Sequence, residues 1–195
     1  MLDVLCGRCL ALALALALSV SLPASAAEWD AFREIPGRAS YLAGSGLTVG
    51  GVALEVAALP VMTDGSSMGA LVGTSMFSLG GMSTVVGSSL MLGGAGWTRR
   101  ALLAEGIEVA PVAGRVGWGL VAATPVAFAA ALVLEQKWPE YSLPMVLVVA
   151  AFPLGAAVAA LTQEARNRRA WRGSQEGSAT STTLPVTAIQ IGASF

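Results

Sequence analysis

The 195-residue sequence has no histidine, one lysine (Lys137) and two cysteines, and only 12% of it is charged. Each scarcity excludes something. Without histidine there is no Ser–His–Asp triad, no Cys–His nucleophile pair and no His-ligated haem or zinc. Both cysteines, Cys6 and Cys9, stand ahead of the first apolar run. Their Cys-x-x-Cys spacing suits redox or metal chemistry, but it lies in a segment expected to be removed. No cofactor, metal site or enzymatic activity is therefore expected. Soluble domains carry about 25% charged residues, and half that share cannot clothe a water-facing surface. The formal net charge is −1, so nothing provides the clustered positive face that nucleic acid needs.

What is present is apolar: 55% hydrophobic residues, 23 glycines and a mean hydropathy of +0.71. Residues 10–22 alternate Leu and Ala and end before Pro23 and Ala24-Ser25-Ala26. At thirteen residues the run is short for a bilayer core of ~30 Å, which needs about 20. With Arg8 ahead of it, the layout is that of a secretory signal peptide, residues 1–26, cleaved after Ala26. An amphipathic lead-in, 27–40, carries Trp29 and Phe32 as headgroup-level anchors. A transmembrane domain over 41–163 follows, with spans at about 41–62, 67–97, 115–135 and 143–163. The second apolar stretch is too long for one crossing. It must tilt, break near Gly80-Gly81 or project beyond the membrane. Residues 164–183 read as a basic and then Ser/Thr/Gly-rich linker, and 184–195 as an extended tail.

A weak repeat organises the spans. Gly37-Arg38-Ala39-Ser40-Tyr41 opens the first, and Gly114-Arg115-Val116-Gly117-Trp118 opens the third. Arg99-Arg100-Ala101 closes the second, and Arg168-Arg169-Ala170 closes the fourth. The expected fold is an all-α membrane protein of four transmembrane helices in two hairpins, with a short extended C-terminal tail. Arg33, Arg38, Arg99, Arg100, Arg115, Arg166, Arg168, Arg169 and Arg172 then share one membrane face, against Lys137 on the other. The positive-inside rule puts that face in the cytoplasm. A cleaved leader puts both termini outside, and the two signals conflict. The expected placement is as a multi-pass protein of a bacterial-type inner membrane with both termini outside.

Lipid gives helices no hydrophobic reason to associate, so small residues that let backbones approach mark the contacts. The expected packing positions are Gly46 and Gly50 on the first helix and Gly69, Gly73, Gly80, Gly87 and Gly94 on the second. Gly119, Ala123 and Ala127 are expected on the third, and Gly155 on the fourth. These faces serve intramolecular packing or a homo-oligomer seam. Glu55 is the one carboxylate placed within a span, either a rim acid reaching for headgroups or an ion-pathway group. Thr74, Ser75, Ser78, Ser83, Thr84, Ser88 and Ser89 hydroxylate the second helix, to line a path or to bond their own carbonyls. In the tail, Ile189, Ile191 and Phe195 alternate with polar residues, which suits docking to a partner by strand addition. This stretch resembles the terminal strand of bacterial outer-membrane barrel proteins, which implies an outer-envelope address. The long apolar runs depart from a barrel. The expected function is a structural or interaction scaffold in the lipid bilayer. The alternative is a small channel or transporter subunit using Glu55 and the hydroxylated helix.

Overall fold

The computed structural model describes residues 36–62, 66–138 and 142–181. The leader, most of the lead-in and the C-terminal tail with Ile189, Ile191 and Phe195 lie outside the described residues. All regular structure among the described residues is helical: α1 (Arg38–Met62), α2 (Ser67–Ala104), α3 (Val112–Lys137) and α4 (Ser142–Ser181). Each contains a stretch long and apolar enough to cross a membrane. The protein is an all-α membrane protein built from two helical hairpins, α1–α2 and α3–α4.

Local chemistry sets the ends. Gly37 takes a φ of +95°, open to glycine, at the turn that starts α1. Ser66 caps α2, its hydroxyl oxygen accepting from the Gly69 N–H at 2.8 Å. At the other end of α2, Gly106 adopts a φ of +79°. The Ile107 N–H donates to Leu102 O and the Gly106 N–H to Leu103 O, which is a Schellman closure. Arg99 Nε donates to Val109 O at 2.7 Å and clamps the connector that follows.

α2 is one unbroken helix of 38 residues, about 57 Å long at 1.5 Å per residue. It passes straight through Gly80-Gly81 and projects beyond a ~30 Å hydrocarbon core. The expected linker is corrected by α4, which continues as helix to Ser181. Two features carry it past Thr162. The segment Gln163–Trp171 holds strong helix formers and no proline or glycine. Its inner face is also polar and packed: Gln163, Glu164 and Asn167 are buried against neighbouring helices.

The α1–α2 contact is the most extensive in the molecule, and α2 also carries α4 and, more lightly, α3. Buried positions on α1 are Arg38, Tyr41, Gly44, Thr48, Gly51, Glu55 and Ala58, and from Tyr41 onward the steps alternate between three and four. That 3.5-residue period belongs to a left-handed supercoiled pair. Gly37 meets Gly94, Gly44 meets Gly87, Gly51 meets Gly80, and Ala58 meets Gly73. At every level the two residue numbers add to 131, as antiparallel chains of equal period require. A methyl added to Gly44 would sit 2.5 Å from Gly87 O, and one added to Gly51 would sit 2.6 Å from Gly80 O. The helices therefore touch backbone to backbone.

A second core joins the hairpins: Tyr41, Met91, Leu92, Ala95, Ala156, Ala157 and Ala160, with Leu120, Val121 and Leu161 against it. Packing between the hairpins is confined to the arginine-bearing half. No described residue of α3 beyond Thr124, or of α4 before Pro153, is buried. Over 67–83, α2 buries only Gly69, Gly73 and Gly80, and the last two face α1. The hairpins part toward the Lys137 end.

Candidate functional site

The buried polar groups fall into two places. The first is the α1–α2 seam. Glu55 is 8% exposed, and its carboxylate is turned onto α2. Its Oε1 lies 3.0 Å from the Thr84 hydroxyl, which is also 2.9 Å from Gly80 O. One hydroxyl proton is thus shared between two acceptors. Gly80 makes this possible: Glu55 Cγ would stand 2.8 Å from a methyl placed there. The rim reading of Glu55 is corrected by this placement. The side chain faces inward between two helices, held by the seven-residue period that puts position 55 on the same face as Gly44, Thr48 and Gly51. Replacing Thr84 by valine keeps the volume and removes the donor. It is expected to lower stability by roughly 1–3 kcal/mol, read from the denaturant midpoint of the detergent-solubilised protein. An unchanged midpoint would show that the Glu55–Thr84 contact adds nothing.

The second place is the arginine end, where all four helices contribute. Asn167, fully buried, donates from Nδ2 to Ala95 O of α2 at 2.8 Å and to Glu164 Oε2 at 3.4 Å. Its Oδ1 accepts from Gln163 Nε2 at 3.2 Å. Gln163 Oε1 in turn accepts from the Gly114 N–H of α3 at 3.2 Å. Arg168 Nε meets Glu164 Oε1 at 3.5 Å, an i,i+4 pair with side chains 17% and 4% exposed. Arg38 and Tyr41 of α1 are buried and within electrostatic reach of the Glu164 carboxylate. Nearby, the Thr98 hydroxyl is shared between Pro36 O and Gly94 O. Among the described residues, every buried side-chain nitrogen and oxygen has a partner. Satisfied networks of this kind fix how helices sit. Charge neutralisation is local, with Glu164 paired to Arg168 and within electrostatic reach of Arg38.

Most hydroxyls of α2 bond their own helix. Thr74 donates to Ala70 O, Ser75 to Leu71 O, and both Ser88 and Ser89 to Val85 O. Thr74, Ser75 and Ser78 stand exposed, whereas Thr84 and Ser88 are buried. The set is therefore spread around the helix and does not converge on one wall.

The expected packing residues divide. Gly73, Gly80, Gly87 and Gly94 are buried in the seam, and Gly69 is buried as well. α1 occupies this glycine face, so it is closed to a second copy. As contacts within the molecule, Gly46 and Gly50 are corrected: both are exposed, with nothing within 4 Å of an added methyl. The contact glycines of α1 are Gly44 and Gly51, because a helix pair with a 3.5-residue period needs steps of seven. Gly119 is likewise corrected, exposed and open, since its neighbour Gly117 faces Leu92 and Ala159. Ala123 and Ala127 are half-buried, and an added methyl on Gly155 would lie 3.0 Å from Leu120 Cδ1.

Sequence reasoning missed Gln163, Glu164 and Asn167, and with them the second acid buried in a candidate span. A signal was present. Ala156, Ala160, Gln163 and Asn167 continue one helix face in steps of four, three and four. The polarity of the last two suggested a membrane exit where there is a packed junction. Comparison with known proteins adds nothing to this geometry: no family model, curated protein or solved structure matches the chain.

Proposed function

We propose that the protein is a structural membrane scaffold, a rigid four-helix module of a bacterial-type inner membrane that presents its arginine end to other components. The observation that carries this reading is the α1–α2 seam, closed backbone to backbone at Gly44–Gly87 and Gly51–Gly80. Helices in backbone contact at these levels leave no room between them for a permeating ion. The four-helix polar junction at Asn167 supports the same reading, because it ties both hairpins together at one end. The continuation of α4 to Ser181 supplies a helical stalk for a protein partner. In this reading the tail beyond it is a further docking element, and the termini lie outside the cytoplasm.

One observation favours a second reading, a small channel or transporter subunit. Glu55 is an inward-facing acid within a candidate span, and such groups commonly mark pathways. A flux assay separates the two. Proteoliposomes are expected to leak protons and monovalent cations no faster than empty liposomes, with no change in Glu55→Ala. A flux well above the empty vesicles that disappears in that variant would replace the scaffold with the channel.

A further inference from the structure

We propose that the arginine end is a binding surface for the phosphate headgroups of anionic phospholipids. Arg100, Arg115, Arg166 and Arg169 are its cations, Trp118 stands at its membrane-side edge, and Trp97 lies one turn inside Arg100. The inference rests on the membrane fold and is independent of the scaffold reading.

The polar junction sets the relative depth of the helices. Asn167 meets Ala95 O, and Gln163 meets the Gly114 N–H, so these pairs lie at common levels. Counted from them at 1.5 Å per residue, the four arginine α-carbons fall in a band about 15 Å deep. Long arginine chains narrow that band by reaching toward water. All four residues are exposed, and the hydrogen-bond and salt-bridge geometry gives none of them an ion pair among the described residues. They differ in this from Arg168, which pairs with the buried Glu164, and from Arg38, which lies within its electrostatic reach. The same helical face logic separates them: on α4, Asn167 and Glu164 point inward while Arg166 and Arg169 point outward.

Two helices repeat one arrangement. Trp97 stands three residues to the membrane side of Arg100 on α2, and Trp118 stands three to the membrane side of Arg115 on α3. Their side chains are 56% and 49% exposed. An i,i+3 pair shares a helix face. Each pair therefore offers an indole on the same helix face as a guanidinium one turn farther out. Indoles prefer the headgroup level, and a guanidinium matches a phosphate bidentately. Of the described exposed acids, Glu105 caps the C-terminus of α2, five residues beyond Arg100, and Glu108 sits on the connector that follows. Charge complementarity and position together select a lipid headgroup over a soluble anion.

The test is lipid retention by the full chain, measured by native mass spectrometry after equilibration with equal phosphatidylglycerol and phosphatidylcholine in detergent. The protein is expected to retain phosphatidylglycerol about fivefold or more over phosphatidylcholine, the scale set by one arginine at an anionic surface. The combined variant R100Q/R115Q/R166Q/R169Q should fall to near parity, while Lys137→Gln should keep the preference. If the combined variant does not fold, R100Q/R115Q and R166Q/R169Q are each expected to lower the preference on their own. Equal retention of the two lipids by the unmodified protein overturns the proposal. So does an unchanged preference in folded variants. Thermal stabilisation by inorganic phosphate equal to that by phosphatidylglycerol would assign the site to a free anion instead.

Discussion

Replacing Gly87 by leucine should unfold the α1–α2 hairpin, while the same replacement at Gly50 should leave it intact. A methyl on Gly87 would stand 2.5 Å from Thr48 N and 2.6 Å from Gly44 O. These are backbone atoms, and no rotamer change moves them aside. The destabilisation is expected at or above the upper end of the roughly 1–3 kcal/mol that overpacking a core costs. Gly50 meets nothing within 4 Å, so leucine there should change stability by about 0.5 kcal/mol or less. Better helix propensity than glycine pulls in the stabilising direction. Both variants are read from their unfolding midpoints in a sodium dodecyl sulfate titration. Equal midpoints would refute the register in which glycines of α1 and α2 meet level by level.

Glu164→Leu should be the most damaging single change at the arginine end. The carboxylate is 4% exposed, pairs with Arg168 at 3.5 Å, and accepts from Asn167 Nδ2. It also stands within reach of the buried Arg38. Leucine would remove the carboxylate that pairs with Arg168 and lies within electrostatic reach of Arg38. Removing one partner of a buried pair costs about 3–5 kcal/mol. Glu164→Gln keeps the volume and the hydrogen-bond acceptor for Asn167, so it should cost clearly less. The ordering is measured by the same titration, with tryptophan fluorescence reporting whether α4 leaves α2. Leucine and glutamine variants of equal stability would mean that the charge of Glu164 is immaterial to the fold.

The two cases differ in how much of them the sequence reveals. Glycines at 73, 80, 87 and 94 stand out by their spacing, and they are the contact positions of α2. On α1 the four-residue spacing of Gly46 and Gly50 is equally visible and points to the wrong face. Both spacings keep small residues roughly aligned on a helix. Only a partner of fixed period decides between them, and α2 selects Gly37, Gly44 and Gly51. Glu55 shows the same limit. Its place within an apolar span is legible, but its direction follows from the register that brings Gly80 and Thr84 opposite.

α4 marks the other limit. Arginine, serine and glycine after Thr162 match the composition of a membrane exit and linker, and composition cannot register that one face of such a segment is covered. Burial of Gln163, Glu164 and Asn167 depends on α1, α2 and α3 arriving at the same place. By itself the sequence determined the class, four apolar helices in two hairpins with the arginines at one end. Helix formation and membrane length follow from local apolar content, and chain direction follows from the turns. Which glycines touch, which acid is neutralised and where the hairpins part were decided only in the tertiary structure, because each depends on the facing surface of another helix.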